Sequence, residues 1–142
     1  FLPYGALVDH FQHWIYENPD ATPKERKLQW LELENIYQPG KNYGNLKFFK
    51  NGGFWQKQAH IYEMPFYYID YTLAQVCAFQ FWIRMQEDKE SAWNDYLKLC
   101  KAGGSMSFLD LVKLANIKSP FDPKVFEEVA TKINNWLSEN NL

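Results

Sequence analysis

The stretch TPKERKLQWLELENIY fixes one helix on local grounds alone. Thr22 can cap it, and Pro23 suits the first helical position, where its missing N–H is not needed. Glu25 stands where its carboxylate reaches back to the cap. Leu28, Leu31 and Leu33 follow as apolar positions. Similar signals recur along the chain. Ser107 and Asp110 form a capping pair ahead of FLDLVKL, and Asp122-Pro123 opens a last helix carrying Val125, Phe126, Val129, Ile133 and Trp136. Residues 5–17 place Ala6, Leu7, Phe11, Trp14 and Ile15 near helical spacing before Asn18-Pro19 stops them. DKESAWNDYLKLCKAGG repeats Ala92, Tyr96, Leu99 and Cys100 at that spacing and ends on Gly103-Gly104. Trp55 to Glu63 reads as a short helix carrying His60, and Pro65 opens or kinks a long helix running to about Met85. Only residues 38–53, with Pro39, Gly40, Gly44, Gly52 and Gly53, lack any period and read as a long loop or an irregular hairpin. The expected fold is therefore all-α, with five to seven packed helices. No repeat or linker divides the chain, so residues 1–142 are expected to form a single helical domain.

A chain of 142 residues can bury about two thirds of its unfolded surface, and an aromatic content of 18% implies that the buried surface is large. A net charge of -2, with Lys and Arg dispersed, speaks against nucleic acid as a partner. The most apolar window, Phe66 to Met85, is interrupted by Asp70, Thr72, Gln75, Gln80 and Arg84, so a buried helix is expected there rather than a membrane span. FLPYGALVDHFQHW has no basic region or cleavage site of a secretory signal. Cys77 and Cys100 have neither CxxC nor Cys/His spacing. Reduced thiols in a cytoplasm are the expectation.

The catalytic inventory is short. His10, His13 and His60 are the histidines, and HExxH, GxSxG and a Gly-rich phosphate loop are all missing from the sequence. His10 and His13, three apart on a helix, could reach one metal ion, but no third ligand is placed by sequence to complete a site. The alternative is a pair of hydrogen-bonded core or surface histidines. HIYEMPFYYIDY is more informative. Tyr68 and Tyr71 are three apart and Tyr67 and Tyr71 four apart, so on a helix their hydroxyls would line one stripe just beyond His60. Phenols are neutral donors at pH 7 and could serve a carbonyl or an oxyanion. The same pattern would also suit a core helix whose tyrosines satisfy buried backbone groups.

Three segments, FLPYGALVDHFQHWIYENPDATPKERK, FWQKQAHIYEMPFYYIDYTLAQVCAFQFW and LCKAGGSMSFLDLVKLA, occur in one order. Together they resemble the C-terminal catalytic region of the oligoendopeptidase F group, within the thimet-oligopeptidase-like zinc metallopeptidases. The resemblance implies a cytoplasmic enzyme that hydrolyses short peptides. In that family zinc is held by a HExxH helix and a later glutamate, neither of which occurs here. Zinc is thus expected in a parent enzyme, none in this chain, and the isolated chain is expected to be inactive. What carries over is a histidine followed by a Tyr-x-x-Tyr pair that approach the substrate carbonyl: His60, Tyr68 and Tyr71, with Tyr67 able to replace Tyr68 if the helix is rotated. The loop at residues 38–53 could border the same cleft or be plain surface. The partners implied are peptide substrates and the missing N-terminal part of the enzyme, and a homodimer through exposed apolar faces is a further expectation. A non-catalytic all-helical module that binds a peptide or dimerises is the reading from another class.

Overall fold

The capping box forms as its residues require. In the computed structural model, which describes residues 1–141, Glu25 N donates to Thr22 Oγ1 at 3.3 Å and Thr22 N donates to Glu25 Oε2 at 2.7 Å. The chain is all-α, with seven α-helices among the described residues: α1 (Leu2–Glu17), α2 (Pro23–Tyr37), α3 (His60–Glu63), α4 (Ile69–Glu87), α5 (Lys89–Ala102), α6 (Phe108–Leu114) and α7 (Pro123–Glu139). Ser107 and Asp122 cap as expected, accepting from the backbone of Asp110 and Lys124, and Asp88, not singled out from the sequence, accepts likewise from Ser91. Gly103 closes α5 with a φ of 54°.

Three local expectations give way. Residues 38–53 form no hairpin; a wide π-type turn at Phe49–Gly53 runs into a 3-10 turn at Phe54–Lys57. Pro65 does not open α4, which begins at Ile69. Phe66 instead adopts a left-handed φ of 61°, which a helix cannot accommodate. On α2 the buried face is Trp30, Leu33 and Glu34, whereas Leu28 is exposed. Residues three and four apart share a helix face, and Leu28, two before Trp30, points to the other side.

The chain divides into two compact units, Phe1–Thr72 and Leu73–Leu142, the division falling inside α4. The first is built on Leu7, Val8 and Phe11 of α1, Trp30 and Leu33 of α2, Trp55 and Ile61. Phe11 meets Trp30 edge-on at 5.1 Å and lies tilted against Trp55 at 5.2 Å. Fully burying a side chain of this kind contributes about 1.5–3 kcal/mol. Glu34 is buried among these aromatics and accepts from Trp30 Nε1 at 3.2 Å, from the Tyr43 hydroxyl and from Lys41 Nζ at 3.2 Å. Lys41 also lies 3.7 Å above the Phe54 ring. The chain after α2 is thereby folded back over its end.

In the second unit Ala92, Val112, Ala115, Val125 and Val129 are buried. Asp95 accepts from Arg84 at 2.6 Å, Lys98 at 2.8 Å and Asn116 at 3.0 Å. These bonds hold its carboxyl well below the usual carboxylate range, Lys98 contributing most, then Arg84 and Asn116. Gln80 bonds both backbone groups of Lys118, at 2.8 and 3.0 Å. Cys77 and Cys100 are free thiols. Among the described residues no helix is long and apolar enough to cross a membrane.

Candidate functional site

His60 is the first residue of α3, and three tyrosine rings surround its imidazole. The ring centroid lies 4.9 Å from that of Tyr68, 5.9 Å from Tyr71 and 6.2 Å from Tyr67. Tyr67 is parallel to the imidazole, at 2°, while Tyr68 and Tyr71 meet it edge-on. All four residues belong to the first compact unit. Of the three tyrosines only Tyr71 sits on a helix, in the first turn of α4; Tyr67 and Tyr68 precede it in the turn after Pro65. The expected helical stripe is replaced by a cluster in which Tyr67 and Tyr68 each pack edge-on against Tyr71, at 5.4 and 5.6 Å. Neither Tyr67 nor Tyr68 lies on a helix, so a helical rotation cannot exchange them.

Two devices place this cluster. Gly5 is buried in α1, and a Cβ there would stand 2.0 Å from Thr72 Oγ1. Only glycine lets α1 approach the turn of α4 that carries Tyr71 this closely. The second is the left-handed turn at Phe66. Its N–H donates to Oε1 of Gln12, a fully buried α1 residue, at 3.2 Å. Its ring packs on His13 at 4.8 Å and Tyr16 at 4.9 Å. A left-handed conformation costs a non-glycine residue roughly 1–2 kcal/mol, a cost offset here by the Gln12 bond and the ring contacts. The reversal at Phe66 delivers Tyr67 and Tyr68 to His60.

The cluster is half-open. Tyr67 and Tyr71 are 39% and 43% exposed, and Tyr68 and His60 are half-buried. Burial pushes the Tyr68 phenol above its ordinary range. The neighbouring Tyr67 hydroxyl, followed by lost solvation, does the same for Tyr71. Both phenols therefore keep their protons at neutral pH and remain donors. Behind the cluster stands Tyr4 of α1, edge-on to Tyr68 at 5.8 Å and to Trp30 at 6.4 Å. Tyr4 OH donates to Gln58 Oε1 at 2.9 Å, and Gln58 Nε2 lies 2.7 Å from His60 Nδ1.

The model of peptidase family M3 matches residues 1–131. The chain belongs to peptidase family M3. Solved structures agree. One of PZ peptidase A with an inhibitor is 55% identical, with a TM-score of 0.91 over 98% of this chain and 25% of that one. A protein assigned as an oligoendopeptidase F is 57% identical, with a TM-score of 0.90 over 97% of this chain and 24% of that one. Another so assigned, from Bacillus anthracis str. Ames, is 46% identical, with a TM-score of 0.75 over 98% of this chain and 21% of that one. No curated protein matches. The resemblance drawn from the three sequence segments is borne out, and this M3 peptidase chain spans about a quarter of the length of the first two structures. It corresponds to a piece of a peptidase.

The residues of this M3 chain do not fit a zinc ion. Among the described residues no three His, Cys, Asp or Glu side chains are gathered as a metal would require. His10 and His13 turn to separate partners: His10 Nδ1 is 3.0 Å from the Tyr37 hydroxyl, and His13 Nε2 is 3.5 Å from Asp9 Oδ2. Sequence reading found His60 and the tyrosines but missed Tyr4, Gln12, Gln58 and Phe66. Their partners are 54 residues away or their role depends on a backbone reversal, and no periodicity signals either.

Proposed function

We propose that this chain supplies the carbonyl-binding wall of a zinc-dependent oligoendopeptidase that hydrolyses short peptides. The observation that carries the reading is the gathering of the His60 imidazole with Tyr67, Tyr68 and Tyr71 within 6.2 Å, on a half-open face of a chain that belongs to a peptidase family. In this reading His60, Tyr68 and Tyr71 are catalytic residues and Tyr67 binds substrate beside them. The Tyr68 and Tyr71 hydroxyls donate to the scissile carbonyl, and these bonds strengthen as its oxygen gains negative charge in the tetrahedral intermediate. Neutral donors suit the task because they leave no fixed cation to retain the carboxylate product. The zinc ligands and the general base belong to segments outside this chain, which by itself is inactive.

The test is Tyr71→Phe in the peptidase that contains this chain. The substitution deletes one hydroxyl and preserves the ring packing on Tyr67 and Tyr68. Loss of one oxyanion donor typically costs on the order of 100-fold in kcat, about 3 kcal/mol, and KM should change little. Zinc content and melting temperature should match the parent. Full kcat in both Tyr71→Phe and Tyr68→Phe would show that the cluster is structural.

A further inference from the structure

The two ring nitrogens of His60 are not equivalent. Nδ1 lies 2.7 Å from Gln58 Nε2. An amide nitrogen only donates, so Nδ1 must present its lone pair, and the proton of the neutral imidazole then resides on Nε2. Gln58 is oriented in turn from its other end, where Oε1 accepts the Tyr4 hydroxyl at 2.9 Å. Reversing the amide would set its NH₂ against the phenol and leave the Tyr4 proton without an acceptor, since Gln58 is the only hydrogen-bond partner of that hydroxyl among the described residues. Tyr4 is itself half-buried, and edge-on contacts with Trp30, Phe54 and Tyr68 fix its ring so that the hydroxyl oxygen stays beside Gln58. Burial, more than the neighbouring Tyr68 and Glu34, pushes its phenol up and keeps the donating proton in place.

We propose that Tyr4 and Gln58 are positioning residues: the Tyr4–Gln58 pair locks His60 as the Nε2–H tautomer, so that the imidazole offers a donor beside the Tyr68 and Tyr71 phenols. The catalytic consequence rests on the role given to His60 above; the tautomer itself does not. A free neutral imidazole interconverts between two tautomers, and only one of them can donate from Nε2. An Nε2 lone pair facing a developing oxyanion would repel it. The relay removes that unproductive form before substrate arrives, which is preorganisation exercised from α1, 54 residues away in sequence from Gln58.

The lock is read directly in the ¹⁵N-labelled chain, by long-range ¹H–¹⁵N correlation of the His60 ring with the imidazole neutral. The expected pattern is a pyrrole-like Nε2 and a pyridine-like Nδ1. Gln58→Glu keeps the size of the side chain and its acceptor for Tyr4 but offers His60 an oxygen in place of an N–H, so the proton should move to Nδ1. Tyr4→Phe should give a mixture of tautomers, because the amide is then free to turn. An Nδ1–H tautomer in the parent chain, or an unchanged pattern in Gln58→Glu, would overturn the lock. A melting curve accompanies each variant, and Gln58→Asn, which retains the amide but is too short to bridge, gives a second route to the mixture should Gln58→Glu fold poorly. In the peptidase that contains the chain, Gln58→Glu should lower kcat by about 10- to 100-fold while KM moves less than about twofold. Unchanged kcat with an inverted tautomer would remove the relay from catalysis. Unchanged kcat in Tyr71→Phe would count against the oxyanion reading and leave the tautomer result standing.

Discussion

Replacing Gly52 with alanine tests whether the turn at residues 49–53 is seated on α2 as tightly as the structure indicates. Gly52 has a φ of 80°, and a Cβ there would lie 2.1 Å from the Lys27 carbonyl oxygen and 2.7 Å from its carbon. These atoms belong to the backbone of α2, so they cannot rotate aside as a flexible side chain would. Two costs add. The left-handed conformation costs an alanine roughly 1–2 kcal/mol, and forcing extra volume into a packed site costs roughly 1–3 kcal/mol. A total loss of about 2–5 kcal/mol is expected. Gly40→Ala is the internal control, because Gly40 has a similar φ of 86° and nothing within 4 Å of the added carbon. It should show the conformational cost alone, and the entropy that alanine removes from the unfolded chain is common to both variants and cancels. The assay is denaturant unfolding followed by tryptophan fluorescence, since Trp30 and Trp55 are buried in this unit. Gly52→Ala should unfold at a lower midpoint than Gly40→Ala by an amount equivalent to about 1–3 kcal/mol, at unchanged m. A difference under about 0.5 kcal/mol, the usual scatter of surface substitutions, would refute the close seating.

Other outcomes follow from single contacts. Glu34→Ala strands the buried Trp30 Nε1 and releases Tyr43 and Lys41, so unfolding free energy should fall by about 1–3 kcal/mol, the cost of leaving a buried donor unpaired; a loss below about 0.5 kcal/mol in chemical unfolding would contradict the bonding described. Asp95 has a folded pKa below its unfolded value near 3.9, so its contribution is fully present above that value and is lost as pH falls through the folded pKa. The stability gap between the parent chain and Asp95→Asn should accordingly be constant from pH 7 to about 5 and narrow as the pH drops below about 4, which acid unfolding curves of the two proteins would show or exclude. The 142-residue chain is expected to bind no stoichiometric zinc at micromolar metal, so one tightly held ion per chain in elemental analysis would return His10 and His13 to consideration as ligands.

What the sequence determined by itself is what neighbouring residues decide. Thr22, Pro23 and Glu25 interact across a single helical turn, so α2 could be placed from four letters; Asp88, Ser107 and Asp122 act in the same way. The helical class follows because these signals repeat, and His60 with the tyrosine pair could be singled out because they lie within twelve residues of one another. Tertiary structure decided how those residues meet. Proline before an apolar run is compatible with a helix start, yet Phe66 takes the left-handed form because buried Gln12 binds its N–H and His13 and Tyr16 hold its ring. The face of α2 that is buried is likewise set by what packs on Trp30, so Leu28 is left in solvent despite its type. Tyr4 and Gln58, 54 residues apart, carry no local mark of their pairing. A hydrogen bond between distant residues depends on the path of the whole intervening chain, and no window of sequence contains it. The caps could be read because their free energy is local; the tautomer of His60 could not, because it is set by a contact that exists only after α1 has packed.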